Sequence, residues 1–96
     1  MMRYVLRPRA QRDIEDIWDY TAAAWGAAQA ENYIRQIQRS LDAISLDPNR
    51  GRACDDIRAG YRKLLTGSHF VFYRVGADGI DVVRILHQRM DFEQHI

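Results

Sequence analysis

The groups best suited to chemistry lie in residues 58–91, a stretch that carries Arg58, Arg62, Lys63, Arg74, Arg84, His87 and Arg89. Arg62 and Arg84 are suited to holding a phosphate. His87, with an ordinary pKa of about 6.5, suits proton transfer near neutrality. Asp55 or Asp56 would serve as a base if their loop brought them close. Together these residues would make a metal-free ribonuclease. Against this stands the commoner role of a lone strand-end histidine, a hydrogen-bonded surface group. Arg58, Tyr61 and Arg62 have a second reading too. They would recognise an acidic surface or a phosphate, or simply form a solvated strand edge that discourages aggregation.

Other chemistries find no footing. His69, His87 and His95 are scattered along the chain and Cys54 is remote from them, so no zinc pattern emerges. No glycine-rich phosphate loop opens a helix. Ser40, Ser45 and Ser68 lack the context of a nucleophile elbow. No metal or cofactor is expected.

Three short apolar runs must position the basic groups: residues 61–65, 69–75 and 80–86. Their aromatic and β-branched content predicts strands. Thr66-Gly67-Ser68 and Gly76-Ala77-Asp78-Gly79 separate them and supply hairpin turns. Upstream, residues 2–6 read as a first strand stopped by Pro8. Residues 10–24 read as a helix on the spacing of Ala10, Ile14, Ile17, Trp18, Thr21 and Trp25, which makes Trp18 and Trp25 core residues. Residues 27–46 read as a second helix with the stripe Ala30, Ile34, Ile37, Leu41 and Ile44. Gly26 between them forces an antiparallel hairpin. Residues 49–60 read as a loop and 88–96 as a polar tail in which Met90, Phe92 and Ile96 can dock. The fold class is α+β, in the order β-α-α-β-β-β, with a helical hairpin packed on one face of a small, mainly antiparallel sheet.

The 96 residues suit one domain. Their 47% hydrophobic and 28% charged content is that of a globular protein. A net charge of +1 excludes a generic polyanion binder. One cysteine and no apolar run of roughly 18 residues suggest a cytoplasmic protein with no direct membrane contact.

The sheet has a peculiarity. A sheet covered on one face should alternate apolar and polar residues. Phe70 and Phe72 point one way, and Val71, Tyr73 and Val75 the other. Val82 and Val83 are adjacent, as are Ile85 and Leu86. Both faces are therefore apolar, and the hairpin can cover one. The tail with the aliphatic stems of Arg and Lys, a second copy, or a partner must cover the second, and a partner protein is expected to contribute part of that cover.

An ordered set of short runs spans nearly the whole chain: Arg7-Pro8-Arg9-Ala10, Asp13 through Tyr20, Trp25-Gly26, Gly51-Arg52, Gly60-Tyr61-Arg62, Gly67-Ser68-His69, Phe72-Tyr73-Arg74 and Ile85 through Asp91. In this set the sequence resembles the ParE toxins of type II toxin–antitoxin modules, within the RelE/ParE superfamily. Ala59 stands where the family commonly has proline. The resemblance implies a toxin held inactive by a ParD-like antitoxin in a hetero-oligomer, and a non-enzymatic inhibitor of DNA gyrase. Its RelE-like alternative is the messenger-RNA endonuclease built on His87 with Arg62 and Arg84. On the first reading no residue is catalytic. Arg58, Tyr61, Arg62, Arg84, His87 and Arg89 would meet the target. Trp18, Phe70, Phe72, Val83 and Ile85 would meet the antitoxin.

Overall fold

Proline fixes the backbone angle that a helix needs at its first position and has no N–H to waste there. The first helix, α1 (Pro8–Trp25), accordingly begins at Pro8, two residues before the apolar periodicity does. The computed structural model describes residues 3–96. A short strand, β1 (Tyr4–Leu6), precedes α1, and Met2 of the expected first strand lies outside the described residues. Gly26 alone links α1 to α2 (Ala27–Leu46). Its φ of 95° is open to glycine and strained for other residues. Its N–H closes α1 on the Ala22 carbonyl and its carbonyl accepts from Ala30, so one residue ends one helix and begins the next.

After a single 3-10 turn at Pro48–Arg50 come β2 (Arg52–Ala53), β3 (Tyr61–Thr66), β4 (His69–Gly76), β5 (Gly79–His87) and a four-residue helix, α3 (Phe92–His95). The sheet order is β1-β5-β4-β3-β2, with β1 parallel to β5 and the other pairs antiparallel. The architecture is the expected α+β one, with two departures. β2 lies inside what reads as a loop. Two residues carry no periodicity, so only their pairing with Lys63 and Arg62 defines them as a strand. The tail also closes on a turn of helix, capped by the Asp91 carboxylate accepting from the Glu93 N–H.

A β-bulge accounts for the adjacent valines. Phe72 pairs with Arg84, whereas Tyr73 pairs with Val82, so Val83 has no residue opposite it. The extra residue shifts the alternation of β5 by one. Ile80 and Val82 before the bulge, and Ile85 after it, all join the core beneath the helices with Val71, Tyr73, Ile17, Ile37, Leu41 and Ile44. The opposite face holds a second cluster of Cys54, Tyr61, Phe72 and Leu86.

That second face overturns one expectation. No partner is needed to bury its centre: Phe72 is 0% and Leu86 2% exposed. The tail and the loop before β3 cover it, with Phe92, Ile96 and Ile57 packed against the cluster. The Phe92 ring stands edge-on to Phe72 and Phe70, at centroid distances of 4.9 and 5.6 Å. Arg58 and Arg84 donate to the carbonyls of Ile96 and His95 at 3.0 and 2.6 Å, pinning the tail.

The tryptophans depart as well. Trp25 is 71% and Trp18 37% exposed, so neither is core. Ile17 and Ala10 provide the buried stripe of α1, and Trp18, one position round the helix from Ile17, leaves it.

Candidate functional site

Gly67 turns β3 into β4 with a φ of 58°, bringing the start of β4 under α2. The Tyr33 hydroxyl then accepts from the Ser68 N–H at 2.9 Å and lies 2.6 Å from His69 Nδ1. The hydroxyl also donates to the Thr66 carbonyl at 3.4 Å, and the direction of the His69 contact follows the imidazole tautomer. Across the β4–β5 pair His69 faces His87, with the rings edge to face and centroids 5.3 Å apart. Burial, and then the neighbouring His87, push the His69 pKa down from 6.5 to about 4. The His87 Nδ1 accepts from the Arg89 N–H at 3.2 Å.

The two histidines sit at the base of a cleft of about 420 Å³ under α1, whose walls include Ile17, Tyr20, Thr21 and Met90. A neighbouring hollow of about 430 Å³ shares Tyr20, Thr21 and both histidines and adds Trp25 and Tyr33. Tyr20 is 73% exposed, so the rim presents two large aromatic rings, Tyr20 and Trp25, that the fold itself does not use. Large aromatics beside a sheltered cleft are the residues that anchor protein partners.

The basic residues expected to act together converge only in part: Arg84 and His87 both line the cleft, and Arg62 lies apart. Arg84 is held by both oxygens of Asp13, at 2.8 and 2.9 Å, and by the tail. This raises its already high pKa, chiefly through the Asp13 hydrogen bonds. Arg62 donates to the Gly51 carbonyl at 2.6 Å. Arg62 pairs with Tyr73 and His87 with His69, so the two lie four residues apart along β4, roughly 13 Å. The Asp55 carboxylate accepts from the Gly60 N–H. Among the described residues no cluster of three or more histidine, cysteine or acidic groups is placed to hold a metal.

Of the residues expected to meet the target, Arg58 is exposed with its guanidinium 5.9 Å from the Tyr61 ring, and Arg89 is exposed. Tyr61 itself is 8% exposed, within the second cluster. Of those expected to meet the antitoxin, Phe72 and Ile85 are buried inside this chain, and Trp18, Phe70 and Val83 reach the surface in part. The pairing of His69 with His87 escapes a reading by distance along the chain. Counting outward from the Gly76–Gly79 turn would set His69 against Leu86, and the bulge moves the partner to His87. The adjacent valines were the available sign of that shift.

A helical hairpin on a five-stranded sheet, with aromatic side chains spare around a cleft, defines a small α+β protein equipped to contact another protein. The chain belongs to the ParE toxin family of type II toxin–antitoxin systems: the family model described as ParE toxin of type II toxin-antitoxin system, parDE, matches residues 4–92. A relative named Toxin ParE1 from Mycobacterium tuberculosis is 55% identical over 95 residues, covering 98% of this chain and 97% of its own. Another of that name from Caulobacter vibrioides is 42% identical over 96 residues, covering 100% and 99%. A solved chain of the chromosomal ParDE system from P. aeruginosa superposes with a TM-score of 0.80 over 91% of this chain and 96% of its own. Its identity is 21%, and the likeness is one of fold.

Proposed function

We propose that this toxin acts by binding rather than by catalysis, that its target is DNA gyrase, and that a ParD-like antitoxin neutralises it. The observation that carries the choice of binding over cleavage is that both arginines are engaged, Arg84 by Asp13 and Arg62 by the Gly51 carbonyl. A ribonuclease needs its acid–base group and its phosphate-holding cations around one scissile bond. Here Arg84 shares the cleft with His87 but is locked to Asp13, Arg62 is spent on a backbone carbonyl, and His87 ends β5, four residues along the sheet from Arg62. The gyrase target is taken from the family resemblance.

The antitoxin contact is placed at the cleft, on Tyr20, Trp25 and Met90, with Trp18 further back along α1. Purified toxin added in excess to a supercoiling reaction should stop gyrase, and the antitoxin should restore it. Unchanged supercoiling removes the gyrase target. Cleavage of a ribosome-bound transcript, abolished by His87→Ala in a folded protein, replaces inhibition with ribonuclease action.

A further inference from the structure

Arg52 and Lys63 are direct partners across β2 and β3, so their side chains leave the same face of the sheet. That face is the one covered by the tail, because the Lys63 Nζ lies 5.0 Å from the Phe70 ring and 5.7 Å from the Phe92 ring. Tyr61, two positions along β3, shares the face and carries Arg58 over its ring. Arg52, Lys63 and Arg58 thus form a short cationic row along one margin of the sheet. Among the described residues the ion pairs are Arg7–Asp81, Arg35–Glu31, Arg74–Asp81 and Arg84–Asp13, and none involves this row. Asp55 and Asp56, in the adjacent loop, act on the Cys54 thiol alongside Lys63, yet neither forms an ion pair with the row, and Asp55 accepts from the Gly60 N–H.

Like charges set directly opposite across a strand pair destabilise it. An arginine facing a lysine on a two-residue strand is therefore a cost that no ion pair among the described residues offsets. The cation–π seats, and for Arg58 the hydrogen bond to the Ile96 carbonyl, fix Lys63 and Arg58 in advance, which lowers the entropy lost when an anion arrives.

We propose that the Arg52–Lys63–Arg58 row is a docking surface for an acidic polypeptide segment of a partner protein, separate from the aromatic cleft under α1. The surface favours carboxylates over nucleic acid for two reasons. The aromatic rings beneath it are already occupied, Phe70 by Phe92 and Lys63, and Tyr61 by Arg58, leaving no free face for a base to stack on. The net charge of +1 gives no general field to hold a phosphate backbone.

The test uses the full chain, isotopically labelled, titrated with a short glutamate-rich peptide, a lysine-rich peptide and a DNA duplex. The glutamate peptide should move the amide signals of Arg52, Lys63 and Arg58, and added salt should weaken it. Reversing charge with Arg52→Glu or Lys63→Glu should weaken it on the order of tenfold each. Arg52→Gln separates folding from binding. It relieves the like-charge pair, so it should melt no lower than the parent while binding the peptide more weakly. Absence of glutamate-peptide binding, shifts confined to the α1 cleft, binding indifferent to both reversals, or tighter binding of the duplex would each overturn the proposal. Gyrase appears nowhere in this test, so its outcome is independent of the target.

Discussion

The carboxylate of Asp13, on the second turn of α1, grips the Arg84 guanidinium with both oxygens and also accepts from the Ile85 N–H at 2.9 Å. One side chain thereby fastens the first helix to β5 just after the bulge. Both partners are 12% exposed, so the pair is largely desolvated. Removing one member leaves a buried charge with no counterpart, which costs far more than losing a surface pair. Asp13→Ala should lower stability by about 3–5 kcal/mol. The double change Asp13→Leu with Arg84→Met should cost less than Asp13→Ala alone. Urea unfolding of the three proteins checks this, and a double variant as weak as the single one refutes the account.

His69 gives the stability a pH slope. Its folded pKa of about 4 lies below the ordinary 6.5. Above pH 6.5 both states are neutral and the contribution is constant. Between 6.5 and about 4 the unfolded chain takes up a proton that the folded chain refuses, so stability falls as pH drops. Below about 4 both states are protonated and the fall ends. The loss is on the order of 2 kcal/mol after allowing for solvent at the cleft. His69→Gln should remove this part of the slope and leave the carboxylate part below it. An imidazole titration of His69 near 6.5 in the folded protein would contradict the prediction.

The hairpin, the meander and the helix faces were legible because each is written in local periodicity: Ile37, Leu41 and Ile44 recur at helical spacing and are all buried. Three features were not. β2 exists only through its pairing with β3. The tail's role depends on where Phe92 lands on the sheet, some distance in sequence from Phe70 and Phe72. The histidine pair depends on a single bulge. Each is a contact between remote segments, and composition does not encode it. The expectation that Trp25 is a core residue fails for a related reason. Trp25 fits the apolar stripe of α1 by type, yet the helix turns it outward.

Gly67 cannot be replaced cheaply. Its φ of 58° disfavours any side chain, and a Cβ there would come within 2.6 Å of the Tyr33 ring and hydroxyl. Tyr33 cannot swing away without giving up Ser68 and His69. Gly67→Ala should destabilise by roughly 2–4 kcal/mol, the sum of backbone strain and a displaced ring. Gly60→Ala is the control. It shares a positive φ but has open space around it, so it should cost only the backbone part, about 1 kcal/mol. Equal losses at both positions would show that Tyr33 yields freely.

Phe92→Ala should unfasten the tail. The substitution removes the ring that covers Phe70 and Phe72 and should cost roughly 2–3 kcal/mol, less than a fully buried phenylalanine because the ring is half-buried. It should also expose the second cluster, read as binding of a hydrophobic dye at native pH. A protein that loses stability without binding dye would mean that the loop bearing Ile57 closes the face unaided.

The cleft makes the sharpest separation between folding and binding. Trp25 and Tyr20 are 71% and 73% exposed and neither makes a side-chain hydrogen bond within the described chain, so replacing either with alanine should change stability by no more than about 0.5 kcal/mol. If they anchor the antitoxin, each should cost about 2 kcal/mol of affinity, roughly thirtyfold in Kd, because a large ring seated at the centre of an interface carries far more than its neighbours. Ile17→Ala, on the same helix but 8% exposed, should do the reverse, weakening the fold by about 2–4 kcal/mol. Calorimetric titration of the antitoxin into each folded variant decides the matter. Undiminished affinity in both aromatic variants would move the antitoxin off this cleft, and the exposed rings would then be free for the target.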